Sequence, residues 1–156
     1  RDWTTPTLQT WTLLPQTVAA SGLLFLGYRS GSTAFYILGG LIALIVIEEA
    51  FHVLNPVADW LGRYATWVLV YGVVAIVGSV GFALSHRRAS LVERPVTRNL
   101  AILLVGGGFF GGPVSVVATR TNQRLWLFVE EFGEAVAFAI ISGYVVGLIA
   151  RFRTRS

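Results

Sequence analysis

The stretch Leu41-Ile42-Ala43-Leu44-Ile45-Val46-Ile47-Glu48-Glu49-Ala50-Phe51-His52 puts two adjacent carboxylates at the end of an unbroken apolar run. A second stretch, Val129-Glu130-Glu131-Phe132-Gly133-Glu134, leads into another apolar run from Ala135 to Ile141. Five of the eight acidic residues of the chain lie in these two places. Ionisable groups are costly in a lipid-spanning helix, so they normally face a protein interior and mark a site.

The surrounding composition sets the class. Of the 156 residues, 54% are hydrophobic and 13% are charged, against about 25% charged in a soluble domain. Half the usual charge with this apolar content predicts an all-α, polytopic membrane bundle. Residues 1–156 are expected to form one transmembrane domain, because the apolar segments are too closely spaced for a second core. There is no Cys, which excludes disulfides, thiolate metal sites and Cys nucleophiles. There is no Lys either, which excludes Schiff-base chemistry. All twelve basic residues are Arg, a usage that points to GC-rich coding and a prokaryotic source. The net charge of +4 lies mostly in loops and the C-terminal tail, where membrane topology accounts for it and no nucleic-acid partner is expected. The sequence opens at Arg1, and no signal-peptide pattern is expected within it.

Five hydrophobic segments are predicted to span: about Trp11 to Tyr28, Thr33 to Leu54, Ala65 to Ser85, Asn99 to Ala118 and Leu125 to Ala150. Each approaches the ~20 residues that cross about 30 Å of hydrocarbon. The first is short and interrupted by Pro15, and so is expected to be tilted or re-entrant. With alternating loops, one side receives eight arginines (Arg29, Arg87, Arg88, Arg94, Arg98, Arg151, Arg153 and Arg155) and the other receives four. The richer side is expected to be cytoplasmic, with the N-terminus outside and the C-terminus inside the cell membrane. Trp3, Trp11, Trp60, Trp67 and Trp126 all fall at the predicted outer ends of spans or in outer loops. Indole prefers the headgroup region, so the tryptophans support the same orientation. The connection from Asn55 to Tyr64 is expected to be a short turn or helix on the outer surface.

This topology brings the two acidic stretches to one depth. The second span rises outward, so Glu48, Glu49 and His52 come late in it. The fifth descends inward, so Glu130, Glu131 and Glu134 come early. Within each stretch the residues are three or four apart, which places side chains on one helical face. The six residues are therefore the candidate proton or metal-cation site. A charge near mid-membrane costs about 2.5–3.5 kcal/mol, so five unpaired carboxylates would cost roughly 10 kcal/mol or more. Protonation, Arg partners, water or a divalent metal cation must compensate.

Three readings follow. In one, Glu48 or Glu130 pairs with Arg63, Arg120 or Arg124 and the cluster is structural, as in a non-catalytic subunit or scaffold of a larger complex. In another, the carboxylates and His52 bind or pass a proton or cation. In a third, they hold a redox metal, as in a membrane oxidase. Glu49-Ala50-Phe51-His52 fits the Glu-x-x-His pattern of di-iron bundles, but only once, and Glu131-Phe132-Gly133-Glu134 is Glu-x-x-Glu. The small interior predicts self-association or partner subunits within the lipid bilayer. The glycine-rich Gly106-Gly107-Gly108-Phe109-Phe110-Gly111-Gly112-Pro113 is expected either to break the fourth span beside the carboxylates or to pack closely against a neighbour. Gly143 and Gly147 form one GxxxG pair, a common packing signal.

Overall fold

The computed structural model describes residues 6–109 and 124–153. Among them run six helices: α1 (Pro6–Ser30), α2 (Thr33–Phe51), α3 (Asn55–Leu61), α4 (Arg63–Arg88), α5 (Glu93–Phe109) and α6 (Arg124–Arg153). The all-helical bundle is as the composition predicts. Three helical segments are long and apolar enough to cross a membrane: Thr33–Phe51, Val68–Arg88 and Phe128–Arg151. Five had been expected. α1 has the length, about 37 Å at 1.5 Å per residue, but Thr12, Pro15, Gln16 and Thr17 dilute its apolar character. The described part of α5 has 17 residues and begins with Glu93, Arg94 and Arg98 in its first turns.

α1 runs as one 25-residue helix through Pro15. A proline inside a helix removes one backbone donor and crowds the preceding turn. Here packing on two sides holds the helix together. Gln16, Ala19, Ala20, Leu23 and Leu26 are buried at the spacing of a single helical face. Ala19, Ala20, Leu23 and Leu26 meet Phe35, Leu38 and Ile42 of α2 and Phe138, Ile141 and Val145 of α6 in one hydrophobic core.

Glycines set the register of these contacts. The α1–α2 connection turns at Gly31, whose φ of +67° suits a residue without Cβ. A Cβ on Gly27 would lie 3.1 Å from the Tyr36 ring, and one on Gly39 would lie 3.0 Å from the Leu24 nitrogen. Pairing 27 with 36 and 24 with 39 makes the two helices antiparallel and sends Gln16 toward residue 49. On the other side of α1, a Cβ on Gly22 would collide with Val145 of α6. Gly78 and Gly81 of α4 face Leu41 and Ile37 of α2, again antiparallel. Gly107 of α5 faces Ala137 of α6. By contrast, a Cβ on Gly143 or Gly147 would meet nothing within 4 Å among the described residues, so their GxxxG pair makes no close helix contact there.

α5 starts six residues before the expected Asn99, and its start has a clear cause. Ser90 and Glu93 form a reciprocal capping box, with the Glu93 N–H donating to Ser90 Oγ and the Ser90 N–H donating to Glu93 Oε2, both at 3.3 Å. One turn on, the buried Thr97 hydroxyl donates to the carbonyl of Glu93 (3.0 Å) and lies 3.0 Å from His86 Nδ1, which ties α5 to the end of α4. Gly106, Gly107 and Gly108 are helical. The break in the fourth span was expected from Gly106 to Pro113; the helix continues through Phe109, and Phe110 to Pro113 lie outside the described residues.

α4 is the least covered helix. Only 6% of its apolar window is buried, against 28% for α2 and 22% for α6. Val68, Leu69, Val73, Ile76, Val77, Val80 and Leu84 are exposed along it, an outward face fitted to lipid or to another apolar surface.

Candidate functional site

α2 and α6 deliver their carboxylates to the same end of the bundle. The arginines whose side chains are described, Arg29, Arg87, Arg88, Arg94, Arg98 and Arg151, belong to the opposite end, at the last turns of α1, α4 and α6 and the first turns of α5. Trp60 on α3 and Trp126 in the first turn of α6 are exposed at the carboxylate end.

Four of the six candidate residues, Glu48, His52, Glu49 and Glu134, take three different roles. Glu48 bends back onto the chain that follows α2. Its Oε2 accepts the N–H of Leu54 at 2.9 Å, while its carbonyl accepts the N–H of His52 at 2.8 Å. It therefore supports the turn into α3. His52 is no longer on the helical face. α2 was expected to continue to Leu54, but it ends at Phe51, and His52 takes the left-handed conformation with φ 50° and ψ 43°. The cause is local. Asn55 starts α3 with Pro56 at its first turn, so the chain must reverse within three residues, and one left-handed residue closes the helix. The His52 side chain is exposed, though still within electrostatic range of Glu49.

Glu49 and Glu134 point inward. Glu49 is partly buried and accepts a hydrogen bond from Gln16 Nε2 of α1 at 3.2 Å. Glu134 is partly buried on α6, within electrostatic range of Glu49 and of its own neighbours Glu130 and Glu131. Of the α2 and α6 carboxylates, Glu49 and Glu134 are thus within electrostatic range of each other. Two further residues interact with these carboxylates that the sequence reading did not single out. Gln16 is fully buried, and its Oε1 has no hydrogen-bond partner. Tyr71 of α4 lies within range of Glu48, Glu49 and Glu134. The proposed structural partners Arg63 and Arg124 have side chains outside the described residues, as does the whole of Arg120.

Among the described residues, no three His, Asp or Glu side chains come close enough to hold one metal ion. The site offers carboxylate, amide and phenol oxygens from separate helices, a mixed oxygen set. It can share a proton between acidic groups or hold a positive charge between them.

The exposure of His52 leads to a test. A left-handed residue with a Cβ is strained by about 1–2 kcal/mol, which glycine relieves. His52→Gly is expected to raise stability by about 0.5–1 kcal/mol in thermal unfolding of the detergent-solubilised protein. A loss of stability would mean that the imidazole carries a contact that the cap alone does not explain.

No protein-family model, no curated protein and no solved structure matches this chain.

Proposed function

We propose that this chain is a small multi-pass membrane protein whose α2 and α6 carboxylates form a site, near the outer face, that binds or passes a proton or metal cation. The observation that supports it most is the convergence on Glu49. One helix donates an amide to it, and the Glu134 carboxylate of a second helix lies within range of its charge. Acidic groups from helices distant in sequence, gathered in a chain with three helices fit to span a membrane, serve a positively charged occupant better than they serve packing. Reconstitution tests this reading. Vesicles containing the protein are expected to dissipate a proton or cation gradient, or to retain the ion, more than protein-free vesicles, and Glu49→Gln is expected to abolish the difference. Vesicles indistinguishable from empty ones would overturn it.

A second reading has its own observation. The outward face of α4 is apolar along its length and almost uncovered among the described residues. It suits a subunit docked to a copy of itself or to another membrane protein, with the carboxylates structural.

The same reading includes five crossings, α1 and the segment begun by α5 being the two additional ones, with the N-terminus outside and the C-terminus cytoplasmic. The chain contains no Cys, so a single introduced thiol reports alone. Ser90→Cys is expected to resist an impermeant thiol reagent in intact cells and to react after permeabilisation. Labelling in intact cells would reverse the orientation and put the carboxylates at the inner face.

A further inference from the structure

A groove between the end of α4 and the start of α5 lies at the arginine-rich end of the bundle, away from the carboxylates. Phe82 and His86 of α4 and Arg98, Ala101, Ile102 and Val105 of α5 line it, around a volume of about 370 Å³. The α5 residues follow Arg98 at offsets of three, four and seven, so they share one helical face with Arg98 at its head. Val105 lies about 10 Å further along that helix. The α4 wall is fixed in place: the Phe82 and His86 rings stack with centroids 5.5 Å apart, and Thr97 Oγ1 lies 3.0 Å from His86 Nδ1. The groove is therefore polar at one end, with His86 and Arg98, and apolar toward Phe82 and Val105.

The two arginines at this start of α5 differ in what holds them. Arg94 donates from Nε to the Ala89 carbonyl at 3.1 Å and from Nη2 to the Arg87 carbonyl at 3.0 Å, which caps the end of α4. Arg98 has no hydrogen-bond or ion-pair partner among the described residues. Glu93, the one acidic residue described at this end, already accepts the Ser90 N–H. An unpaired guanidinium at the head of an apolar groove fits an occupant with an anion at one end and an apolar tail at the other. At a membrane surface that occupant is an anionic lipid, since basic pockets between membrane helices suit phosphate headgroups. A second copy of the chain suits the groove less. Copies inserted the same way present the same end to each other, which would set arginine against arginine.

We propose that this groove binds one anionic phospholipid, with its phosphate on Arg98 and one apolar tail along Phe82, Ile102 and Val105. The inference rests on α4 and α5 lying in a membrane and is independent of the carboxylate site.

The test offers the full chain in detergent equal amounts of phosphatidylglycerol and phosphatidylcholine with identical tails, and counts bound lipid by native mass spectrometry. One phosphatidylglycerol per chain is expected, preferred by about tenfold. Arg98→Gln is expected to cut that preference by about fivefold. Arg29→Gln removes the same charge at the same end, from α1, and is expected to leave the preference intact. Ile102→Trp keeps Arg98 but fills the groove from its exposed side, and is expected to lose the bound lipid. Phosphatidylglycerol is also expected to raise the unfolding temperature of the wild type more than that of Arg98→Gln, a readout that stands even if Ile102→Trp fails to fold. Equal retention of the two lipids, equal losses in Arg29→Gln and Arg98→Gln, or unchanged binding in a folded Ile102→Trp would each overturn the proposal. So would an oligomer that dissociates in Arg98→Gln while the lipid preference persists, because the groove would then be a subunit contact. Glu49→Gln is expected to keep the preference, so the ion-binding reading and this inference fail separately. A chain that stays soluble without detergent would bring down the membrane reading and this inference together.

Discussion

Replacing Glu49 and Glu134 by Gln, singly and together, is expected to give strongly non-additive losses. Each single variant should lower ion uptake or binding by about tenfold or more, because each removes one of the two charges that hold the occupant. The double variant should lose little beyond either single one. Residues that act on one ligand couple by about 0.5–3 kcal/mol in a double-mutant cycle, whereas independent sites add. The isosteric Gln limits the structural cost: at position 49 it can still accept from Gln16 through its carbonyl. Glu48→Gln is the internal control. Its structural task is to accept the Leu54 N–H, which a Gln carbonyl also performs, so uptake should stay near that of the wild type. Additive losses at 49 and 134 would separate the two stretches into independent local clusters.

The second large effect is expected from the α1–α2 seam. At Gly39 an added Cβ would sit 3.0 Å from the Leu24 nitrogen and 3.1 Å from Leu23 Cβ. Leu24 N belongs to the backbone of α1 and cannot swing aside, so Gly39→Val must push the helices apart. Overpacking of this kind costs about 1–3 kcal/mol. Its neighbour Gly40 meets nothing within 4 Å, so Gly40→Ala should be neutral or stabilising by up to about 1 kcal/mol on helix propensity alone. The contrast is read by unfolding in detergent, followed by circular dichroism. Because the same seam carries Gln16 to Glu49, Gly39→Val should also weaken ion binding, and Gly40→Ala should not. Equal stability of the two variants would mean that α1 and α2 do not touch at this point.

Parts of this arrangement were legible in the sequence, for physical reasons. Carboxylates in apolar runs stand out because the bilayer makes them costly, which is why Glu48, Glu49, Glu130, Glu131 and Glu134 are candidates on sequence alone. Their gathering at one end follows from alternating helix direction. Gln16 was not found. A neutral amide among Thr12, Pro15 and Thr17 looks like a polar dilution of a weak span, and its burial depends on a helix register set by Gly27, Gly39 and Tyr36. Tyr71 was passed over because an aromatic residue in a span looks like packing. His52 was placed on the helical face by spacing, but the Asn55-Pro56 pair and the Glu48 carboxylate end the helix one residue earlier. The start of α5 was written in Ser90-x-x-Glu93, a capping box whose meaning is local, yet the hydrophobic count pointed to Asn99 because capping residues are polar.

The claim that most else depends on is that the α2 and α6 stretches share one site within a single chain. The absence of Cys allows a direct measurement. Glu49→Cys and Glu134→Cys are introduced together, the protein is reconstituted, and a bifunctional thiol reagent spanning about one helix diameter, ~10 Å, is added. Release of the Cα constraint by the linker matters, because α2 and α6 are not in direct backbone contact. Rapid cross-linking within one chain, seen as protection of both thiols with no dimer formed, is the predicted result. Two thiols that remain free, or that join only between chains, would contradict it.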